Sequence, residues 1–574
     1  MMGSGIFLTG LNLFLIPFMA LLVSGAVFHS GNTLSAWQGW VIAGLGLAAA
    51  FLATHSLHLP RRGSWRVGLR ALLAAALVAI LSAFACSWFL DVSYDGLGYH
   101  QLTSLRLMGP SGGDGLPAWN PFREYISPPS GYSHLIQSYP RWQALYAAYF
   151  GLITGHLEPG KHFQFLLLFA AWLLTISELQ AWPRMTGSRA VTLATLLAFN
   201  PVVLCQLFTG MADGPLASGL LIWLTLSARF LRRSSLANGL WVVLSLAGLL
   251  NLKSTAPIYV GVILVGGSAA LVALGFPWKR RLRPLVSACA LGAVLGVAWI
   301  GYNPYVENLV RLGSPLYPIR ILDTRFDPFY LQTAPDLHDS NRFMKFLRAN
   351  FSSTKNGYPS PNPELKIPFS LRSDELEYAW MWDTRIGGFG PWYSAALCLA
   401  LLAMIVGKGR KLETRALWAA SAVIAASVFI NPECWWARWV PQAWWLACLP
   451  LFGVTSPRWI RNALATTLTV NLVLVAGSVI SHQLLFSRKA HQELIALTRL
   501  PQVQGILDPG IRPGVEHRLR SWGVNYVDHP RELLHCRLWK SWVNGPAEYC
   551  CPETGSEAFP ECRNMLQVAP PFNR

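Results

Sequence analysis

Apolar residues run through this chain in blocks of about twenty, separated by short polar or basic segments and by three long ones. A helix needs roughly 20 apolar residues to cross the hydrocarbon of a bilayer. Blocks of that length occupy residues 6–28, 36–56, 68–90, 162–182, 189–208, 212–232, 236–252, 255–276, 285–303, 391–407, 415–431, 439–455 and 461–481, which predicts about thirteen spans. The first block lacks a basic leader and further blocks follow it, so it reads as a span and not as a signal peptide.

Basic clusters then orient the spans. Arg61, Arg62, Arg66 and Arg70 follow the second block, Arg229, Arg232 and Arg233 the sixth, and Lys279, Arg280, Arg281 and Arg283 the eighth. Lys408, Arg410, Lys411 and Arg415 follow the tenth, and Arg458 and Arg461 the twelfth. Each cluster falls after an even-numbered block, so one orientation satisfies all of them: N-terminus cytoplasmic, C-terminus on the far side. That alternation requires residues 141–158, WQALYAAYFGLITGHLEP, to stay out of the count as an interfacial or re-entrant helix.

Composition agrees. Of 574 residues, 53% are hydrophobic and 13% charged, about half the roughly 25% charge of soluble domains. This excludes a soluble enzyme, a disordered chain or a coiled coil. The 25 Trp, 28 Phe and 17 Tyr suit interfacial belts. The net charge of +18 invites a nucleic-acid reading. Its placement between apolar blocks favours topology signals instead, with the remainder available to phosphate-bearing membrane lipids and no nucleic-acid partner expected.

The expected fold is therefore an all-α polytopic membrane protein of the inner (plasma) membrane. Residues 1–67 hold additional N-terminal helices, 68–303 a transmembrane module with a first outer loop at 91–161, and 304–390 a second large outer loop. Residues 391–481 hold the C-terminal helices and 482–574 a periplasmic tail. Long loops in such a protein are usually functional, which puts the chemistry outside the cytoplasm. Six cysteines, Cys86, Cys205, Cys289, Cys398, Cys434 and Cys448, lie in or beside spans as small apolar filler. The other four, Cys536, Cys550, Cys551 and Cys562, cluster in the tail. An oxidising compartment would favour two disulfides among them, while zinc would want paired CxxC spacing that the tail lacks.

Directly after the third block the chain reads DVSYDGLGYHQ. Asp91 and Asp95 stand where a helix meets water, with Tyr94, Tyr99 and His100 beside them. One carboxylate can serve as general base towards an acceptor hydroxyl, and the second can bind a cation or that hydroxyl. His100 and Tyr99 can hydrogen-bond an anionic leaving group. Plain solvation of the two acids is the simpler alternative.

YDGLGYH, Tyr94 to His100, resembles the acidic motif that opens the first outer loop in the GT-C superfamily of membrane glycosyltransferases. The order continues through SYPRWQALYAAYFGLITGH, a span, PRMTGSRA and AFNPVVLCQLFTGMADGPLA. It is similar to the juxtamembrane helix, inward span, basic turn, outward span and second acidic loop of the protein O-mannosyltransferase and aminoarabinose-transferase branches. The similarity covers roughly residues 68–320. It implies a GT-C-like fold, a polyprenyl-phosphate sugar donor and transfer to an envelope glycan, lipid or protein acceptor on the periplasmic face. The Asp-Glu pair of the O-mannosyltransferase branch is absent, and Asp95, before the Tyr-His pair, is the position that aligns with the base. Some relatives bind a divalent metal through paired acids and others use none.

Other residues extend the site. Asp213 in GMADGPLA starts the sixth span, either as a boundary acid in the site or as a first-turn carboxylate. Lys253 falls in an outer turn where the charge rule disfavours lysine, so it either binds a lipid phosphate or snorkels. In NPECWWARWVPQAWW, residues 431–445, Arg438 can grip a phosphate in bidentate fashion, Glu433 is a second polar candidate, and Trp435 or Trp436 can stack on a sugar or fill the aromatic belt. GYNPYVENLVRLGSPLYPI reads as a rigid exit loop, and the glycines of RIGGFGPWYS permit either close ligand approach or a hinge. No phosphate loop or dinucleotide fingerprint occurs. Two competing classes remain: a lipid-linked sugar flippase or transporter, against which stands the lack of an internal repeat, and an O-antigen-ligase-like enzyme with a diphosphate-linked donor, which would lean on Arg and His.

Overall fold

The computed structural model describes residues 2–56, 64–112, 117–124, 133–183, 185–317, 332–407, 411–453, 456–500, 502–507, 512–528, 539–541 and 547–550. The chain is an all-α multi-pass bundle in which eight helices among the described residues are long and apolar enough to cross a membrane. Its main helices are α1 (Met2–His29), α2 (Ala36–Ser56), α3 (Ser64–Trp88), α4 (Trp142–Thr154), α5 (Phe163–Gln180), α6 (Gly187–Ala198), α7 (Pro201–Gln206), α8 (Asp213–Arg232), α9 (Leu236–Leu250), α10 (Ala256–Ala273) and α11 (Arg283–Val294). After the second large loop come α12 (Tyr393–Val406), α13 (Lys411–Phe429), α14 (Arg458–Leu497) and α15 (Arg512–Ser521).

Helix α1 is the centre of the N-terminal half and packs against α2, α3 and α5. Phe14 and Phe18 of α1 meet the edge of the Trp142 ring, which in turn meets Phe163. Gly248 on α9 makes room for that indole, since a Cβ there would come within 2.7 Å of it. The outward side chains of α3, including Leu73, Leu77, Ile80, Leu81 and Phe84, are exposed. Bare apolar stripes of this kind are what a helix presents to lipid.

Helix α4 covers most of residues 141–158. Its 13 residues span only about 20 Å. Its first residue bonds to the carbonyl of Asn251 at the C-terminal end of α9, while Tyr149 reaches Gln38 at the N-terminal end of α2. The Trp142 indole also donates to the carbonyl of Pro17 in the middle of α1 at 2.8 Å, so α4 runs from inside the bundle towards the start of α2.

Four expectations change. The block at 189–208 is two helices, because Asn200 caps α7 through Val202 N–H at 2.9 Å and Pro201 cannot donate backwards into α6. The block at 439–455 is a chain of short turns around a five-residue helix, Trp444–Cys448, interrupted by Pro441 and Pro450. The last block runs on through the 40 residues of α14, about 60 Å, so the tail grows from a continuous helix and does not start at residue 482. Finally, the tail departs from all-helical structure: β1 (Val503–Leu507), β2 (Tyr526–Asp528), β3 (Trp539–Ser541) and β4 (Ala547–Cys550) form one mixed sheet in the order β2-β1-β4-β3. Such short strands bury their apolar residues only by docking. Val503, Val515, Leu519 and Val524 pack with Leu90, Leu97, Ala490 and Leu494 of the helical body.

The six span-associated cysteines are free thiols, five of them buried. Cys536, Cys551 and Cys562 lie outside the described residues, as does the side chain of Cys550.

Candidate functional site

Five separate segments meet at one end of the bundle, and all of them are loops or helix ends from the same side of the alternation. Asp95 enters from the wide turn that follows α3, Asp213 from the first turn of α8, and Lys253 from the α9–α10 turn. Asp383 and Arg385 come from the end of the second large loop, and Arg438 from the turn after α13. The opposite ends of these helices carry Arg229 and Arg232 against Glu178, and Arg281 against the carbonyls of Leu231 and Arg232. Acid cluster and basic loops thus occupy opposite ends.

Arg438 is the hub. Its Nη1 donates to Asp95 Oδ2 at 2.7 Å and stands 3.7 Å from Asp213 Oδ2. Its Nε lies 3.0 Å from Asp383 Oδ1, a close ion pair without hydrogen-bond alignment. The guanidinium also faces the Trp436 ring at 4.7 Å. Burial works against its charge, but the carboxylates of Asp383, Asp95 and Asp213 outweigh that and hold its pKa above the ordinary value.

Each surrounding group is held by a second partner. Lys253 Nζ pairs with Asp213 and sits 4.3 Å over the Trp439 ring. Gln206 donates to Asp213 at 3.1 Å and accepts from Gly214 N–H at 2.8 Å. Arg385 pairs with Asp383 at 2.8 Å and stacks on Trp436 at 3.9 Å, while the Trp436 indole donates to Asp383 at 2.8 Å. Three carboxylates and three cations therefore balance. Among them Asp95 is the least buried, its side chain 25% exposed against 4% for Asp213 and 13% for Asp383.

Tyr99 and His100 stand beside this cluster, Tyr99 stacked on Tyr139 with centroids 5.7 Å apart. Burial lowers the His100 pKa to about 4, so the imidazole is neutral at pH 7. Burial, reinforced by the charge of Asp95, raises Tyr99 well above its usual range and keeps the phenol protonated. Both side chains are therefore neutral at pH 7.

Two sequence candidates are not brought here. Asp91 is fully buried and its carboxylate accepts from Ser93 N–H (2.8 Å), Ser93 Oγ (2.7 Å) and Gly210 N–H (2.6 Å). Burial pushes its pKa up, and its oxygens are engaged by two backbone N–H groups and one hydroxyl. Glu433 is buried and accepts from the Trp435 indole and, at 3.4 Å, from Thr333. The tryptophan run is likewise no interfacial belt: Trp435, Trp436, Trp439, Trp444 and Trp445 are all buried in protein.

Lys253 has a simpler reason for its place than the charge rule suggested, since Asp213 supplies its counter-ion. Asp383, Arg385, Gln206 and Tyr139 were missed. An acid two residues before the arginine that opens RIGGFG was the available signal. Among the described residues no group of three or more His, Cys, Asp or Glu is arranged to hold a metal ion. No family model, curated protein or solved structure matches this chain.

Proposed function

We propose that this protein is a membrane glycosyltransferase that moves a sugar from a polyprenyl-phosphate donor to a hydroxyl of an envelope glycan, lipid or protein acceptor. The site lies on the non-cytoplasmic face of a roughly thirteen-span bundle of GT-C type, with the N-terminus inside. The observation that carries this reading is the Asp95–Arg438 pair: a part-exposed carboxylate 2.7 Å from a buried guanidinium, with Lys253 and Asp213 behind it, at the mouth of the bundle.

In this reaction the acceptor hydroxyl gives its proton to Asp95 as its oxygen bonds to the anomeric carbon. The bond from that carbon to the phosphate oxygen breaks, and its electron pair leaves with the phosphate. Arg438 and Lys253 hold the charge that develops there. Because Arg438 already faces three carboxylates, an arriving phosphate exchanges for one of them. The exposed Asp95 is the partner most easily given up, so donor binding frees the base at the moment it is needed. Tyr99 and neutral His100 supply hydrogen bonds to the sugar or phosphate.

The test is release of polyprenyl phosphate by purified protein from a panel of polyprenyl-phosphate sugars, with and without envelope glycan acceptors. Turnover by the natural protein and its loss in a folded Asp95→Asn variant support the proposal. Full turnover in that variant removes Asp95 as base. Absence of turnover with every donor, together with translocation of a lipid-linked sugar across vesicles, replaces the enzyme with a flippase.

A further inference from the structure

A second polar centre lies between the first large loop and the tail, apart from Arg438. A cavity of about 420 Å³ is bounded by Leu90 after α3, by Leu157 and Glu158 before α5, and by Arg518, Ser521 and Trp522 of the tail, with Gln101 on its wall. That size falls within the roughly 300–1,000 Å³ of small-molecule sites. Arg518 crosses from the tail to Glu158, with contacts at 2.5 and 3.0 Å, and also donates to the carbonyl of Asp91 at 2.7 Å. Glu158 is shared with Lys161 and accepts from Asp91 N–H at 3.1 Å.

The lining selects a ligand by elimination. Glu158 and Arg518 already pair with each other, so a charged ligand would have to break that pair to bind. A hydrocarbon would leave a buried amide unsatisfied: Gln101 is 7% exposed and its Nε2 has no hydrogen-bond partner among the described residues. What fits is a neutral molecule rich in groups that both donate and accept, with one apolar face for Trp522, Leu90 and Leu157. A saccharide has that chemistry, because its ring C–H bonds pack on an indole face while its hydroxyls bridge acid, amide and guanidinium.

We propose that this cavity is a saccharide-binding site that holds part of a glycan acceptor. The claim rests on the transferase reading only for the word acceptor, since saccharide binding stands without it. The tail is then a docking element whose Arg518 and Trp522 complete a site that the transmembrane body supplies only in half.

The experiment is saturation-transfer NMR on the full-length protein in detergent, with neutral di- to pentasaccharides built from glucose, galactose, mannose and N-acetylglucosamine, and inorganic phosphate as a charged control. Transfer from at least one neutral saccharide is expected, weakened at least tenfold in Gln101→Leu and in Ser521→Trp, the second of which fills the cavity. Transfer absent across the saccharides, unchanged in both variants, or found for phosphate alone overturns the proposal. Saccharide binding without sugar transfer keeps this site and removes the transferase reading. Sugar transfer that Ser521→Trp leaves untouched does the reverse.

Discussion

Asp91 and Asp95 are four residues apart and carry the same side chain, yet the fold gives them opposite surroundings. Asp91 is wholly buried, with its oxygens committed to Ser93 and Gly210, and its own backbone joins the Glu158–Arg518 network that pins the tail. Asp95 is part-exposed and held by one guanidinium that has two other carboxylates to turn to. A carboxylate enclosed by two backbone N–H groups and a neighbouring hydroxyl braces the fold. One whose partner is over-supplied can be released. Burial and number of partners, rather than residue type, separate the two roles.

The comparison breaks hardest at the hub. Arg438→Leu leaves Asp95, Asp213 and Asp383 facing one another with Lys253 and Arg385 as the remaining cations, and removing one side of a buried pair costs roughly 3–5 kcal/mol. Sugar transfer should fall below detection and the melting temperature should drop, both measured on protein in detergent. A variant that stays fully active would dissolve the distinction between the two networks.

Asp95→Asn should separate chemistry from stability. Turnover is expected to fall by about 10²–10⁴, while the melting temperature stays within a few degrees of the natural protein. Asp91→Asn should do the opposite. Its amide group cannot accept from Gly210 N–H and the Ser93 groups together, so a loss of about 1–3 kcal/mol is expected, with turnover per folded molecule within about threefold. Equal activity losses in the two variants would show that both acids serve the reaction.

The smallest effect concerns His100. Its pKa of about 4 in the fold lies below the roughly 6.5 of an unfolded chain. The unfolded state therefore binds more protons between those values, and stability rises with pH through that window and is fully present above it. Melting curves from pH 7 to pH 5 should show this fall, and His100→Asn should flatten it. A slope unchanged by that substitution would assign the pH response to other groups.

Much of the site was written in local sequence. YDGLGYH, GMADGPLA, LKSTAP and the arginine of WWARW each carry polar residues where an apolar block ends, and a polar group at a membrane boundary is conspicuous wherever its partners lie. Asp383 and Arg385 were harder, because a long polar loop gives no apolar background against which a charge stands out. Glu433 was misleading for the complementary reason. It sits five residues from Arg438 in sequence, but the intervening turn sends it to Trp435 and Thr333.

The sequence by itself determined that this is a multi-pass helical membrane protein with basic loops at one end and a concentration of acids at the other. Block length and charge alternation are one-dimensional quantities fixed by bilayer thickness and by the cost of moving charge across it. Only the tertiary structure decided which acids meet which bases. Asp95 and Arg438 stand 343 residues apart, and Glu158 and Arg518 stand 360 apart. Pairing over such separations follows from helix packing and loop path, which no local pattern encodes.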